Sequence, residues 1–151
     1  MLKLSKKSDY GLIAMRHLAS KETGGSCNTR EIAKAYGIPT ELLAKVLQKL
    51  VKNGLLVSQH GVEGGYMLAR NPSSVTAFDV IRAIDGPLLI TSCVTARGEC
   101  SQASTCTVRE PLSKVNEVIE KALSSVTLAS LGENNGSGHE EAGLVQIGTL
   151  P

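Results

Sequence analysis

The sequence predicts a mainly α-helical protein: a winged helix-turn-helix with a small β-hairpin wing, a cysteine-rich loop and a long C-terminal helix. Three observations lead to this fold class. Amphipathic stretches with helical spacing occupy much of residues 5–53. A glycine-rich segment between two short strand-like runs follows directly. Three of the four cysteines then fall within the 14 residues from Cys93 to Cys106, in a segment too polar to belong to a hydrophobic core.

Composition and charge restrict the class of protein. At 151 residues with 42% hydrophobic content, the chain suits one domain with appendages. It has no run of 18 or more apolar residues, and its first residues lack the apolar stretch of a signal peptide, so we expect a cytoplasmic protein that contacts no membrane. Residues 1–90 carry 12 Lys/Arg and 7 Asp/Glu, whereas residues 91–151 carry 4 and 7. This asymmetry is compatible with nucleic-acid binding by the front half.

The helix-turn-helix is predicted from the second and third amphipathic stretches. Asn28 or Thr29 is the expected N-cap of the second helix, Tyr36 is expected to face inward, and Gly37 closes the helix. A tight turn from Gly37 to Pro39 then leads into the next helix, as in a helix-turn-helix. The first three helices are predicted over about residues 5–21, 29–36 and 40–53.

The face of the third helix that is turned away from the core carries short polar groups near its beginning and lysines behind them. This arrangement suits a recognition helix, whose first residues reach base edges while the cations contact phosphates. No acidic residue occurs between Glu41 and Glu63. A solvated lysine-rich surface is the alternative interpretation. The candidate DNA-binding residues on this helix are Thr40, Glu41, Lys45, Gln48, Lys49 and Lys52.

A β-hairpin is predicted after the third helix, from the strand-like runs at 55–58 and 66–69 and the glycines between them. A hairpin in this position is the wing of a winged helix, and glycine lets its tip approach DNA closely. Gln59, His60 and Gly61 complete the candidate DNA-binding set. For His60, an ordinary surface histidine is the alternative.

A fourth helix is predicted over about residues 77–85. Thr76-x-x-Asp79 has the pattern of a capping box, in which each residue's side chain binds the other's backbone N–H. Val75 and Val80 have the spacing of a hydrophobic staple around the same helix start. The sequence therefore predicts a well-defined beginning for this helix.

The last helix is predicted over about residues 108–130. Thr107-x-x-Glu110 indicates its start, and an apolar stripe runs from Leu112 to Val126. Because no later element covers this stripe, we interpret the helix as the contact between two copies of the chain. Folding back onto the first helix is the alternative. A two-fold symmetric dimer would match a palindromic DNA site.

The cysteine-rich loop suits metal binding. Three thiolates can ligate a soft metal or an iron–sulfur cluster, although such sites usually have four ligands. Zinc sites favour close C-x-x-C pairs, which this sequence lacks. Cys27 lies outside the loop and is interpreted as a buried thiol. No Ser/His/Asp constellation, phosphate-binding loop or nucleotide fingerprint is present, so we expect no enzymatic activity and no small-molecule substrate.

Four segments carry a resemblance to a known family: Leu-Ser-Lys-Lys-Ser-Asp-Tyr, Ile-Ala-Lys-Ala-Tyr-Gly-Ile-Pro, Leu-Val-Lys-Asn-Gly-Leu-Leu and Gly-Gly-Tyr-Met-Leu. Together with the three-cysteine loop, they make residues 1–130 resemble the Rrf2 family of winged-helix transcription regulators, in particular its iron–sulfur cluster-binding members such as IscR, NsrR and the regulators of suf operons. Relatives commonly leave five residues in the first cysteine gap, where this sequence leaves six.

The resemblance implies that Cys93, Cys100 and Cys106 hold a 2Fe–2S or 4Fe–4S cluster. IscR-like members add a histidine ligand three residues after the third cysteine, where this sequence has Arg109, which cannot ligate iron. NsrR-like members instead use an aspartate in the first helix of the partner subunit, which corresponds to Asp9 here. His17 is a second candidate for the fourth ligand.

The expected protein is a homodimeric transcription repressor that binds double-stranded DNA. The cluster controls its affinity for the operator, and iron–sulfur assembly (suf/isc) genes are its expected targets. The alternatives are a nitric-oxide-sensing NsrR-like repressor, a small iron–sulfur redox or cluster-carrier protein, and a zinc- or thiol-based regulator. The expected organisation is a winged-helix DNA-binding domain, a cluster-binding loop, a dimerisation helix and a disordered tail, over residues 1–87, 88–107, 108–130 and 131–151.

Overall fold

The computed structural model of the chain describes residues 3–21, 25–62, 64–91, 100–102 and 104–133. It is mainly helical with a two-stranded antiparallel hairpin, which confirms the predicted winged-helix fold class. Its elements are α1 (Lys6–Ser20), α2 (Thr29–Tyr36), α3 (Thr40–Lys52), β1 (Leu56–Gln59), β2 (Gly65–Leu68), a 3₁₀ turn (Pro72–Ser74), α4 (Ala77–Asp85), α5 (Arg109–Ser124) and α6 (Leu128–Glu133).

An aliphatic core holds α1 to α4 together. The α3 stripe of Leu43, Val46, Leu47 and Leu50 is fully buried, as the helical spacing predicts. Gly11 on α1 is buried, and α4 can pack this close because a Cβ at position 11 would collide with the Ile84 side chain. These contacts fix α3, and hence its outward face, on the rest of the domain.

The helix-turn-helix forms largely as predicted. Asn28 is the N-cap of α2, and its side-chain oxygen accepts a hydrogen bond from the Glu31 backbone N–H at 2.8 Å. Gly37 ends α2 in the left-handed region, with φ of 63°, where a side chain would be strained. The inward orientation of Tyr36 was a wrong prediction, because this side chain is 48% exposed and its hydroxyl lies against α1.

The wing is joined to the segment that precedes α2. Leu56 pairs with Leu68 and Gln59 with Gly65 in the hairpin. Cys27 adds an isolated antiparallel bridge to β2: its N–H donates to the Tyr66 carbonyl at 3.1 Å, and the Tyr66 N–H donates back at 2.8 Å. The second strand of the wing is therefore anchored on Cys27, close to the hairpin turn.

Both ends of α4 are tied to neighbouring elements. Its beginning has the predicted capping box between Thr76 and Asp79, and the two valines of the predicted staple are fully buried. At its end, the Lys49 ammonium donates to the Ile84 carbonyl at 2.9 Å and the Asn53 amide donates to the Ala83 carbonyl at 3.3 Å. These side chains, from α3 and from its C-cap Asn53, satisfy carbonyl groups that a helix end leaves unpaired.

The C-terminal end of α4 is also bound to α1. The Asp85 carboxylate accepts hydrogen bonds from the Ser5 and Ser8 hydroxyl groups at 2.6 and 2.7 Å. Ser8 is fully buried, so this carboxylate satisfies a hydroxyl that has no access to water. Helices α1, α3 and α4 consequently meet where the cysteine-rich loop begins.

A single helix over 108–130 was a wrong prediction, because the chain breaks between α5 and α6. Thr127 and Ser130 each accept a hydrogen bond from the other's backbone N–H, which starts a new helix at Leu128. Helix α6 packs on α1 and on the 3₁₀ turn, so the alternative of folding back on the first helix holds for this part. Residues 131–133, assigned to the disordered tail, complete α6, and 134–151 lie outside the described residues.

The predicted start of the last helix also differs. Val108, and not Thr107, is the N-cap of α5, and it makes no side-chain capping hydrogen bond. In the described ranges, no helix combines the length and the apolar character that crossing a bilayer requires.

Candidate DNA-binding face and cysteine sites

The outward face of α3 is polar, as the sequence indicated. Thr40 and Glu41 lie in its first turn, after the N-cap Pro39. Every candidate side chain on this helix is exposed: Thr40, Glu41, Lys45, Gln48, Lys49 and Lys52. The face can therefore meet the major groove without rearrangement of the core.

Lys49 differs from the other lysines of this face. Its ammonium is hydrogen-bonded to the Ile84 carbonyl, so it contributes to the α3–α4 contact as well as to the surface charge. Lys45 and Lys52 are exposed, and no ion pair to either is found among the described residues. They are the better candidates for contacts to DNA alone.

The wing candidates lie together at the end of β1. Gln59, His60 and Gly61 are exposed, and Gly61 has a φ of 126°, a conformation that favours glycine. Gln59 donates its side-chain N–H to the Met67 sulfur across the hairpin. Val62 projects fully into solvent at the tip, and Glu63 lies outside the described residues.

The predicted cluster ligands are only partly described. Cys100 and Cys106 are half-buried free thiols just before α5, and Cys93 lies outside the described residues. Asp9 lies in the first turn of α1, where its carboxylate is 53% exposed and 3.8 Å from the Lys6 ammonium. Asp9 is therefore accessible to a partner subunit, while its local role is that of a carboxylate at a helix N-terminus.

The beginning of the cysteine-rich loop is attached to α5. The Ile90 N–H donates to the Asn116 side chain at 3.2 Å, and the Asn116 amide donates to Glu120 at 3.0 Å. Asn116 is one of two buried polar side chains in the described part of the chain. The adjacent Thr91 hydroxyl is buried without a hydrogen-bond partner there. The described beginning of the loop, up to Thr91, is thus held against α5 by a polar contact.

A second cysteine site, which was not predicted from the sequence, lies between α1 and α2. The Cys27 sulfur is 3.6 Å from His17 Nε2 and 3.7 Å from Glu31 Oε1. The three ligand-type atoms lie within 4.8 Å of one another. Cys27 and Glu31 are four residues apart across the start of α2, a spacing that indicates proximity. His17, the third member of the site, lies ten residues before Cys27, so no local spacing indicated that the two are close.

The charges of Glu31 and Lys21 shift the pKa of the Cys27 thiol in opposite directions. Burial raises the pKa of the Cys27 thiol, the negative charge of Glu31 adds to the increase, and the Lys21 ammonium opposes it. A hydrogen bond and ion pair with Lys21 at 3.3 Å lowers the pKa of Glu31. The thiol is thus protonated at neutral pH beside an ionised carboxylate.

The sequence matches a known family over most of its length. The Rrf2 family model, described as "Iron-dependent Transcriptional regulator", matches residues 4–134. A Mycobacterium tuberculosis (strain H37Rv) protein named as an HTH-type transcriptional regulator is 40% identical over 87 residues, which are 58% of this chain and 54% of that protein. The chain thus spans about half the length of this curated relative.

Other relatives align along nearly the whole chain. The HTH-type transcriptional regulator CymR of Bacillus subtilis (strain 168) is 30% identical over 146 residues, 97% of this chain and all of CymR. The solved structure of CymR, called the global cysteine regulator of B. subtilis, superposes with a TM-score of 0.71 and 32% identity, covering 87% of this chain and 97% of CymR. The structure of T. potens IscR gives a TM-score of 0.68 and 32% identity, with 86% and 85% covered.

Proposed function

Because the chain belongs to the Rrf2 family of transcription regulators, we propose that it is a homodimeric, cytoplasmic repressor whose affinity for operator DNA depends on an iron–sulfur cluster. The observation that carries the proposal is the concentration of three thiols between α4 and α5, the elements that link the DNA-binding body to the rest of the chain. The target genes proposed are those of iron–sulfur cluster assembly. The protein has no catalytic role in this proposal.

The donor set fits such a cluster. Thiolates are the ligands that iron–sulfur clusters take, and Cys100 and Cys106 are free and half-buried, so they combine access with partial protection from water. Cys93 would supply the third thiolate. Asp9 of the partner subunit is the proposed fourth ligand, because Arg109 occupies the position of the IscR-type histidine. When bound, the cluster would join the loop cysteines through iron, and this ligation would change with iron supply, oxidation or nitric oxide.

The link from the loop to DNA runs through α4. The loop starts beyond Gly86 and is attached to α5 by the Ile90–Asn116 hydrogen bond. The preceding residue pair, Ile84 and Asp85, is held by Lys49 of α3 and by serines of α1. Ordering of the loop by its cysteines therefore biases the position of α4 against the recognition helix. A bias of about 1.4 kcal/mol would change operator affinity tenfold.

Dimerisation is supported by an uncovered apolar face of α5. Val115 and Val118 are 47% and 63% exposed, and Val108 before the helix is 54% exposed. The spacing of these valines places them along one side of the helix. Two-fold contact through this side would place two α3 helices on a palindromic site.

The cluster is tested by iron and acid-labile sulfide content with an absorption spectrum, on protein purified without oxygen. We expect iron and sulfide in near-equal amounts, their loss in Cys100→Ala, and a weakened cluster in Asp9→Ala. Cys27→Ser is the matched control, because it removes a cysteine outside the loop and should retain iron. Absence of sulfide, or full retention of iron by Cys100→Ala, would contradict the cluster and leave the DNA-binding function in place.

If lysines of α3 contact DNA phosphates, removing one of them should change the salt dependence of DNA binding. Lys52→Ala should weaken binding to all sequences and reduce the slope of log affinity against log salt concentration by about 0.9 for each phosphate that the variant no longer neutralises. Lys121→Ala on α5 is the control, since it removes another exposed lysine that is remote in sequence from α3. Glu41→Ala or Lys45→Ala should instead alter sequence preference. An unchanged slope for Lys52→Ala would exclude it from phosphate binding.

The full-length alignment with CymR favours a second candidate. In this second candidate function, the chain regulates cysteine-related genes, and the loop cysteines act as reactive thiols or bind zinc. The iron assay separates the two candidates, since only the first requires sulfide. A protein with no iron whose DNA binding changes with thiol oxidation would support the second.

A further inference from the structure

Three side chains from separate segments form a metal-binding geometry beside strand β2 of the wing. They are His17 at the end of α1, Cys27 in the wing-anchoring bridge, and Glu31 in the first turn of α2. We propose that this His17–Cys27–Glu31 site binds a divalent, borderline-soft cation of the Zn²⁺ class. The proposal does not depend on a cluster in the loop, because it uses none of the loop cysteines.

The distances agree with tetrahedral coordination. Zinc–ligand bonds of about 2.0–2.1 Å to N or O and 2.3 Å to S give N···S and O···S separations of about 3.5–3.6 Å in a tetrahedron. The observed separations from Cys27 Sγ are 3.6 Å to His17 Nε2 and 3.7 Å to Glu31 Oε1. The third edge is at most 4.8 Å, and the Glu31 side chain is 47% exposed, so a rotation of its carboxylate can shorten it. Water would take the fourth position.

The imidazole is oriented for coordination. Tyr36 Oη lies 3.0 Å from His17 Nδ1, which leaves Nε2 directed toward the Cys27 sulfur. Metal-binding histidines characteristically have such a partner on the second ring nitrogen, which fixes the tautomer and the ring plane. Cys27 is 1% exposed, so the sulfur is fixed by the core as well. Two of the three ligands are thus held in place before any metal arrives.

A cation already lies next to these groups. The Lys21 ammonium is 3.3 Å from Glu31 Oε1, and its charge also acts on Cys27. A bound divalent ion would replace this ammonium as the partner of the carboxylate and would displace the proton of the Cys27 thiol, which is released to solvent. The Cys and His ligands disfavour Mg²⁺ and Ca²⁺, which require oxygen donors, and select Zn²⁺, Co²⁺ and related ions.

The position of Cys27 gives the site a structural consequence. Its backbone makes both hydrogen bonds that join the wing to the segment before α2. A metal on its sulfur would link α1, α2 and strand β2 of the wing at one point. Binding to the folded state alone should therefore raise the melting temperature.

The test uses tag-free, full-length protein in which Cys93, Cys100 and Cys106 are replaced by Ser, so that the loop contributes no thiolate. Co²⁺ is the probe, because its visible absorption reports tetrahedral geometry and its charge-transfer band reports a thiolate ligand. We expect one equivalent of Co²⁺ to give both signals and Zn²⁺ to displace it. Adding Cys27→Ser should abolish the charge-transfer band and weaken binding at least about 100-fold, given that loss of an outer-shell partner alone costs about 10- to 100-fold.

Three surface-accessible variants in the same background separate ligation from folding. Glu31→Gln should weaken Co²⁺ binding, and Tyr36→Phe should weaken it about tenfold through the orientation of His17. Lys21→Met should tighten it about two- to fivefold by freeing the carboxylate from an exposed ion pair. Absence of a thiolate band, its persistence in Cys27→Ser, or equal affinity in Lys21→Met and Glu31→Gln would overturn the proposal.

Discussion

Replacing Val118 by Glu is expected to convert the dimer to a monomer and to remove operator binding. Val118 is 63% exposed on α5, beside Val115, on a face that nothing covers within the described part of the chain. Burying a valine contributes about 1.5–3 kcal/mol. Because a two-fold axis repeats each contact, the free energy of burying this valine is lost in both subunits. The two new carboxylates would also repel each other. We therefore expect dimer affinity to fall by at least about 100-fold, since each 1.4 kcal/mol is tenfold.

Sedimentation velocity over a range of protein concentrations measures this change, and a palindromic operator fragment measures its effect on DNA binding. Ser124→Glu is the matched control: it adds the same charge to an exposed position of α5, about 120° around the helix from Val118 at 100° per residue. This control should stay dimeric. A dimeric Val118→Glu variant with unchanged operator affinity would move the interface away from this face.

The helix-turn-helix and wing could be predicted because local signals specify them. Asn28 and the Thr76–Asp79 pair cap helices through residues three apart, and Gly37 marks a left-handed helix end. Such signals act within one turn of the chain, so a single sequence reveals them. The buried stripe of α3 follows equally from its spacing.

Features that depend on distant residues were not predictable in the same way. The Lys49 side chain has the sequence signature of a DNA-facing lysine, yet it also caps α4 through a carbonyl 35 residues away. Tyr36 was placed inward because an aromatic ring on a helical stripe suggests burial, but His17 supplies a partner at the surface. The site around Cys27 requires α1 and α2 to be packed together before its members meet.

The break between α5 and α6 shows a third kind of limit. An apolar stripe continues through Val126, so periodicity alone predicts one helix. The Thr127–Ser130 capping pair and the packing of α6 on α1 end it. The same break leaves α5 as a separate helix whose exposed valines are free for a partner.

The remaining large effect is expected at Gly65, where Ala should detach the wing from the body. A Cβ at this position would lie 2.6 Å from the Cys27 carbonyl carbon and 2.9 Å from the Asn28 nitrogen. These are backbone atoms, which cannot rotate away, so the hairpin must move. The movement breaks the two Cys27–Tyr66 hydrogen bonds, each of which contributes about 0.5–1.5 kcal/mol. With the added steric strain of about 1–3 kcal/mol, we expect a loss of about 2–6 kcal/mol in the free energy of unfolding.

Urea denaturation measures that loss, and operator binding measures what the displaced wing does to function. Because Gln59, His60 and Gly61 are carried by the same hairpin, affinity for DNA should fall about tenfold even where the variant is fully folded. Gly132→Ala is the control, since a Cβ there meets no atom within 4 Å. If Gly65→Ala matched this control in both measurements, the Cys27 bridge would not position the wing. A loss of stability with unchanged DNA affinity would instead separate the wing's packing from DNA recognition, because the Cys27 bridge would then matter only to the fold.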